Sequence, residues 1–556
     1  MRWWRQAGRY WHTLRHLRLV QFYGRVWFRL RRPKPDLRSA PPRTSECGPW
    51  QVLAKRLPSL TGPRSWVFLN EAGHLDELGW DGPQREKLWR YNQHYFDDLN
   101  ARDATVRLAW HTALVDNWIA HNPPGQGDGW EPYPLSLRVV NWIKWALGGT
   151  TLPPAAQQSL AVQVRWLTNR LENHLLGNHL LANAKALVMA GLFFDGPEAD
   201  AWLALGLRIL AREVPEQLLP DGGHFERSPM YQALVLEDLL DLVNATQCFA
   251  SRLSPAQRQQ VADWPQRARN MHTWLQTMCH PDGEISLFND AAFDIAPSVT
   301  ELNTYTCRVL GEVATPAPSP LVHLKESGYI RLAQGSAVAL LDVAPIGPDY
   351  LPGHAHADTL SFELSVGSQR VLVNSGTSCY GSSADRLRQR GTAAHNTVVV
   401  NGQDSSEVWS GFRVARRAYP LGLHIEQSAD ATTTEVHCAH NGYARLSGKP
   451  VHHRTWRMDV DGLTVTDRVE GAHQSAEARF HFHPAVHVET GPGQAEGTAK
   501  LPDGTVMTWQ LEHGQARLEA STWHPRFGHV EPNVCLAVQL VDGRSTLHFR
   551  WTPATA

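Results

Sequence analysis

The chain is 556 residues long, with 53 Lys and Arg against 54 Asp and Glu and a formal net charge of −1. One core does not hold that many residues, so two or three domains are expected, and the balanced charge gives no global field toward nucleic acid. Seven scattered cysteines, odd in number and without a CxxC pair, argue against a disulfide framework and favour a reducing compartment.

Residues 1–38 carry eleven Arg or Lys and one acid, Asp36. Arginines interrupt the apolar residues throughout, so the segment lacks the continuous apolar region of a signal peptide. The expected location is cytoplasmic or at the inner membrane, with the periplasm disfavoured. No run of about 18 residues is both uncharged and mainly apolar, so no transmembrane helix is expected. Over residues 3–30, Trp, Leu, Phe and Arg recur at helical spacing. Such a helix either makes peripheral contact with an anionic membrane or packs on the body with its arginines snorkelling. Pro33, Pro35, Pro41 and Pro42 then mark a linker, so residues 1–40 form a basic aromatic helix and its tether.

From about 85 to 312 apolar residues recur at i, i+3 and i+4, as in 155–171, 174–194, 199–214, 230–249 and 255–278. Paired helices of similar length predict a bundle, solenoid or toroid over 41–314. Most of the 22 tryptophans lie here, where they fill helix–helix cores. A Pro-rich stretch at 314–320 is a second linker. Beyond it, 329–332, 337–343, 360–366, 370–373, 397–400, 455–460 and 463–469 are short, often alternating and rich in Val, Thr and Leu, with turns at Asn401-Gly402 and Asp461-Gly462. Residues 321–556 therefore predict an antiparallel β-sandwich. The fold class is multidomain α + β, a helical toroid followed by that sandwich.

Three constellations could carry chemistry. His354 and His356, at i and i+2 before an alternating segment, would share one face of a strand. With His395 they form a set that could hold tetrahedral zinc if an oxygen completes it. Asn178 and His179 lie in an apolar helical pattern and need partners. The third is DGGHFERSPMY (221–231), a Gly-Gly turn followed by dense titratable groups, in which Ser228 caps the next helix, Pro229 takes its first position and Tyr231 falls in its first turn. HExxH, Walker and GxSxG motifs are absent.

The succession GNHLLANAKAL (177–187), DGGHFERSPMY (221–231), GHAHADTLSFEL (353–364), NSGTSCY (374–380) and RGTAAHNTVVVNG (390–402) resembles the heparinase II/III-like family of polysaccharide lyases. WRYNQHYFDDL (89–99) and WEPYPLSLRVVNW (130–142) resemble that family's helical N-terminal domain. The resemblance implies an (α/α) toroid, a β-sandwich and an active site between them that performs β-elimination on an acidic polysaccharide. It implies a carboxylate-neutralising pair at Asn178 and His179, a catalytic tyrosine at Tyr231, a catalytic histidine at His354 and a second tyrosine at Tyr380. It implies structural zinc ligands at His356, near Asn374 and at His395, although the family usually has Asp where this chain has Asn374. No other cofactor is required.

Arg138, Glu226 and Arg390 are further candidates for binding the acidic sugar, since Arg pairs carboxylates in a bidentate way. Two rival readings are a glycoside hydrolase, for which Asp221, Glu226 and Asp290 are the available carboxylates, and a non-catalytic glycan-handling protein.

Overall fold

Helix α1 (Arg2–Leu14) and helix α2 (Leu19–Leu30) open the chain in a computed structural model that describes residues 2–313 and 319–552. The spacing predicts one helix here. A turn at residues 15–18 divides it, and the extended Arg18 starts α2 by donating its backbone N–H to Gln21 Oε1 at 2.9 Å. Both helices pack on the body. Arg18 pairs with Glu216, Gln21 donates to the Tyr350 carbonyl at 3.1 Å, and Trp409 Nε1 donates to Thr13 Oγ1 at 3.1 Å. Of the linker expected at 314–320, residues 314–318 lie outside the described residues.

The helical half comprises α3 (Lys87–Tyr95), α4 (Leu108–His121), α5 (Pro132–Leu147), α6 (Pro154–Thr168), α7 (Gly177–Phe193), α8 (Pro197–Gln217), α9 (Pro229–Cys248), α10 (Trp264–Thr277) and α11 (Val299–Leu310). The periodic stretch predicted over 255–278 is broken in two. Pro265, at the second position of α10, has no N–H to continue the ladder from Pro255–Val261. The central helices α5, α7 and α9 are buried on nearly every face, which explains their weak amphipathic pattern. Helices α7 and α8 approach closely because Gly191 and Gly206 lack side chains; a Cβ on Gly206 would sit 2.9 Å from the Ala184 carbonyl oxygen. Fully buried Trp118, Trp142 and Trp274 fill the layers between helices.

The second half is antiparallel β. An eight-stranded sheet runs in the order 420–427, 434–440, 451–458, 462–470, 544–552, 506–513, 496–500, 487–490. A five-stranded sheet (321–324 to 369–372) and a four-stranded sheet (515–523, 531–539, 476–481, 398–400) meet edge to edge through a Leu372–Phe482 bridge. Phe362, Leu364 and Phe480 from this composite layer interdigitate with Trp456, Val465 and Phe549 from the eight-stranded sheet in one core. That is a sandwich of two layers, as expected. The fold is a helical toroid followed by a β-sandwich. Among the described residues, no helix is long and apolar enough to cross a membrane.

Candidate functional site

Helix α7 begins abruptly. Leu176 and Gly177 are both left-handed, with φ of 63° and 52°, and a Cβ on Gly177 would run into Leu351 of the sheet half. The reversal puts Asn178 and His179 in the first turn, where unpaired N–H groups and the helix dipole favour an anion. His179 Nδ1 lies 3.1 Å from Glu172 Oε1, and its ring rests against Tyr133 at 4.5 Å. Burial opposes a charged imidazole, but Glu172 outweighs it and lifts the His179 pKa above the ordinary value. Asn178 Nδ2 reaches Glu226 Oε2 at 3.4 Å, and its Oδ1 has no partner among the described residues. Burial also raises the Glu226 pKa. A cavity of about 70 Å³ extends inward from Asn178, Tyr133 and Tyr231.

Helix α9 starts as its sequence dictates. Ser228 Oγ accepts from the Tyr231 N–H at 3.2 Å and donates to the Asp290 carbonyl at 2.6 Å, with Pro229 at the first position. Tyr231 in the first turn then reaches the sheet half. Its hydroxyl lies 3.0 Å from the Tyr380 hydroxyl, and its ring stacks beside His354 at 4.1 Å. Burial, then the neighbouring Tyr380, holds the Tyr231 pKa well above that of a free phenol. Tyr380 is raised by burial and by the charge of Asp290. Both phenols carry their protons.

The His354–His356 segment is an irregular loop, not the strand predicted; pairing begins only at Phe362, after Leu360 at φ 63°. The two rings nevertheless meet one carboxylate. Asp290 Oδ2 lies 2.9 Å from His354 Nδ1, and Asp290 Oδ1 lies 2.8 Å from His356 Nε2. Arg386, from the helix Ala384–Arg390, binds both oxygens of Asp290, one at 2.6 Å through Nη2. Burial alone would raise the Asp290 pKa. Arg386 and the two histidines instead hold it well below the usual carboxylate range. Asp290 is thus placed to hold His354 by Nδ1, and Nε2 is the nitrogen turned toward Glu226. Glu226 Oε2 stands 3.8 Å from that nitrogen.

The structure therefore brings Asn178, His179, Glu226 and Tyr231 of the toroid together with His354 and Tyr380 of the sandwich. Two candidates are elsewhere. Arg138 is fully buried in the helical core, bonded to Gln163 and to the carbonyls of His94 and Gly129, with its guanidinium 3.8 Å above Trp118. Arg390 is also fully buried. It clamps the carbonyls of Ala355, Ser410 and Gly411, and burial pushes its pKa down to about 9. Neither arginine can reach a sugar carboxylate; both hold backbone in place.

The metal reading fails on its donor set. His395 Nδ1 lies 3.2 Å from Asn374 Oδ1, and His356 and His395 rings are 5.2 Å apart. Among the described residues His356 Nδ1, His395 Nε2 and Asn374 Nδ2 have no partners, and no group of three or more His, Cys, Asp or Glu could hold a metal. Two neutral imidazoles and an amide whose oxygen already faces His395 Nδ1 leave a structural zinc, which takes four strong ligands, without a third one, so these residues do not fit a structural zinc. Asn374→Asp is expected to supply it, with one equivalent of zinc retained after dialysis by elemental analysis. Stoichiometric zinc in the unaltered protein after the same dialysis would overturn this.

Three contributors escaped sequence reasoning: Asp290 as the holder of His354, Arg386 as its counter-charge and Glu172 as the partner of His179. Asp290 carried one usable signal. It sits between Leu287-Phe288 and Ala291-Ala292-Phe293, and an acid inside so apolar a stretch must be paired. The carboxylate pair of a hydrolase is not assembled. Asp221 is taken up by the Ser327 N–H and hydroxyl, both at 2.8 Å, and Asp290 by Arg386.

Comparison with known proteins adds a second line. The family model "Heparinase II/III N-terminus" matches residues 85–307 and "Heparinase II/III-like, C-terminal" matches 316–552. A heparin-sulfate lyase of Bacteroides stercoris is 25% identical over 394 residues, 61% of this chain and 58% of that protein. FtsZ-localized protein C of Caulobacter vibrioides is 25% identical over 403 residues, 67% of this chain and 65% of that protein. The matches thus span about three fifths of the length of these curated relatives. A crystal structure of heparinase III superposes with a TM-score of 0.64 at 18% identity, covering 84% of this chain and 77% of that one.

Proposed function

Because the chain belongs to the heparinase II/III-like family, we propose that it cleaves a uronic-acid-containing polysaccharide by β-elimination in the cleft between toroid and sandwich. The observation that carries this reading is the contact of Tyr231 with Tyr380 and His354 across the junction, beside Asn178 and His179.

Elimination breaks the C5–H bond next to the uronate carboxylate, forms the C4–C5 double bond and expels O4. The C5 proton is weakly acidic while that carboxylate is charged. His179, its pKa raised by Glu172, supplies a cation, and Asn178 Nδ2 and the α7 N-terminus supply donors, so the developing enolate-like charge is stabilised. His354 Nε2, freed by the Nδ1–Asp290 bond, takes the C5 proton. Tyr231, kept protonated by burial, delivers a proton to the departing O4, and Tyr380 fixes its hydroxyl. No metal or cofactor enters these steps.

The test is ultraviolet absorbance of the unsaturated uronate during incubation with heparin, heparan sulfate, chondroitin, hyaluronate, alginate and the host's own acidic exopolysaccharide. A rise on at least one is expected; the exopolysaccharide is the member that a link to its production or turnover favours. A flat trace on every glycan would overturn the reading. The alternative is a non-catalytic glycan-handling protein, in which Tyr231→Phe and His354→Ala would leave cellular function intact.

A further inference from the structure

Helix α2 turns its apolar stripe outward. Leu19, Phe22, Tyr23, Val26, Trp27 and Leu30 recur at i, i+3, i+4, i+7, i+8 and i+11, and all are exposed, Leu19 at 81%, Trp27 at 62% and Leu30 at 74%. A helix that only packs on a protein body buries such a stripe. The buried side of α2 is a different one: Gln21 bonds the Tyr350 carbonyl, Gly24 abuts His174, and Phe28 packs on the His174 ring at 4.4 Å. Tyr10, Trp11 and Leu14 of α1 are exposed as well. A groove between α2 and the body takes in Tyr23, Trp27 and Phe28 with Asn169, Arg170 and His174, while Leu19, Phe22, Val26 and Leu30 lie outside it on the open face.

Charge accompanies the stripe. Residues 1–38 hold eleven of the 53 Lys and Arg and one acid, net +10, which leaves −11 on the rest of a chain whose total is −1. The ion pairs of this segment among the described residues use His16, Arg18 and Arg38, so Arg25, Arg29 and Arg32 beside the stripe have no acidic partner.

We propose that α1 and α2 dock this face in the plane of an anionic lipid bilayer. The six side chains of α2 enter the boundary between headgroups and acyl chains, where Trp and Tyr suit the interface, and the free arginines meet lipid phosphates. An acidic polysaccharide would satisfy the arginines but leave the whole apolar stripe in water. The location bears on the cleft. Arg18 stacks 3.7 Å over Tyr350, four residues before His354, while Thr13 holds Trp409, three residues before Phe412. Phe412 in turn packs on His354 and Tyr380. The docking face is thus built on the loops that shape the site, and membrane binding presents the cleft beside the lipid surface.

The test uses the full chain in vesicle flotation and needs no catalysis, so it is independent of the lyase assay. Binding is expected to phosphatidylcholine vesicles containing roughly a third phosphatidylglycerol, with little to phosphatidylcholine alone, and with a blue shift of tryptophan fluorescence. Trp27→Glu with Leu30→Glu is expected to weaken it at least about tenfold, and each of Arg25→Gln and Arg29→Gln about fivefold. These side chains are exposed, so the thermal midpoint should not move. Absence of binding to the anionic vesicles, or equal binding by the Trp27→Glu/Leu30→Glu variant, would overturn the proposal. So would light scattering that shows a dimer split by that variant, which would make a second copy the occupant.

Discussion

Tyr231→Phe is expected to lower kcat/KM on the glycan that the protein cleaves by about a thousandfold, with KM nearly unchanged. The substitution removes one oxygen from a ring that stays packed at 4.1 Å from His354, so the cleft keeps its shape. What disappears is the proton donor to O4, and without it the leaving group departs as an alkoxide. Among the described residues the hydroxyl's partner is Tyr380, so its loss leaves no charge stranded. Tyr380→Phe tests the same geometry from the other side. It removes the group that aims Tyr231 but not the donor itself, and a loss of only about tenfold to a hundredfold is expected. Progress curves of ultraviolet absorbance decide the matter. If Tyr231→Phe kept activity within tenfold of the parent, Tyr231 would not be the acid.

The difference between these tyrosines could not be read from the chain, and the reason is physical. Local rules govern α9: Ser228 and Pro229 start the helix where the sequence places them, and Tyr231 follows in its first turn. The strand expected at 463–469 followed from alternation and β-branched residues, and the one expected at 337–343 from a short apolar run. The His354–His356 segment obeyed no such rule. Its rings were expected to share a strand face, whereas an irregular loop aims them at opposite oxygens of Asp290, a residue 64 positions away from His354. Long-range pairing also settled the arginines. Arg138 and Arg390 have the residue type for a sugar carboxylate, yet tertiary packing turned both toward backbone carbonyls. Residue type and spacing named the chemistry of the site, but its electrostatic frame is made of contacts between distant segments.

That frame predicts the second large effect. Asp290→Asn keeps the volume and removes the charge that Arg386, His354 and His356 all face. Arg386 is fully buried, so it is left as an unpaired interior cation, and the cost is about 3–5 kcal/mol of stability in denaturant unfolding. The loss has a pH signature. A carboxylate whose folded pKa lies well below its unfolded value of about 3.9 stabilises the fold above that value and stops doing so as pH falls through the folded one. The acid-side decline of the parent below about pH 4 should therefore be shallower in Asp290→Asn. Catalysis separates a positioning role from a merely structural one. With Asn at 290 the amide NH₂ can donate to His354 Nδ1 and favour the tautomer with its proton on Nε2, so kcat should fall by about a hundredfold or more at unchanged KM. Adding Arg386→Met removes the stranded cation and should restore much of the stability without restoring kcat. If the double variant regained both, Asp290 would be a brace for the loop and His354 would need no orienting partner. If stability returned alone, the carboxylate would be acting on the reaction through the imidazole it holds.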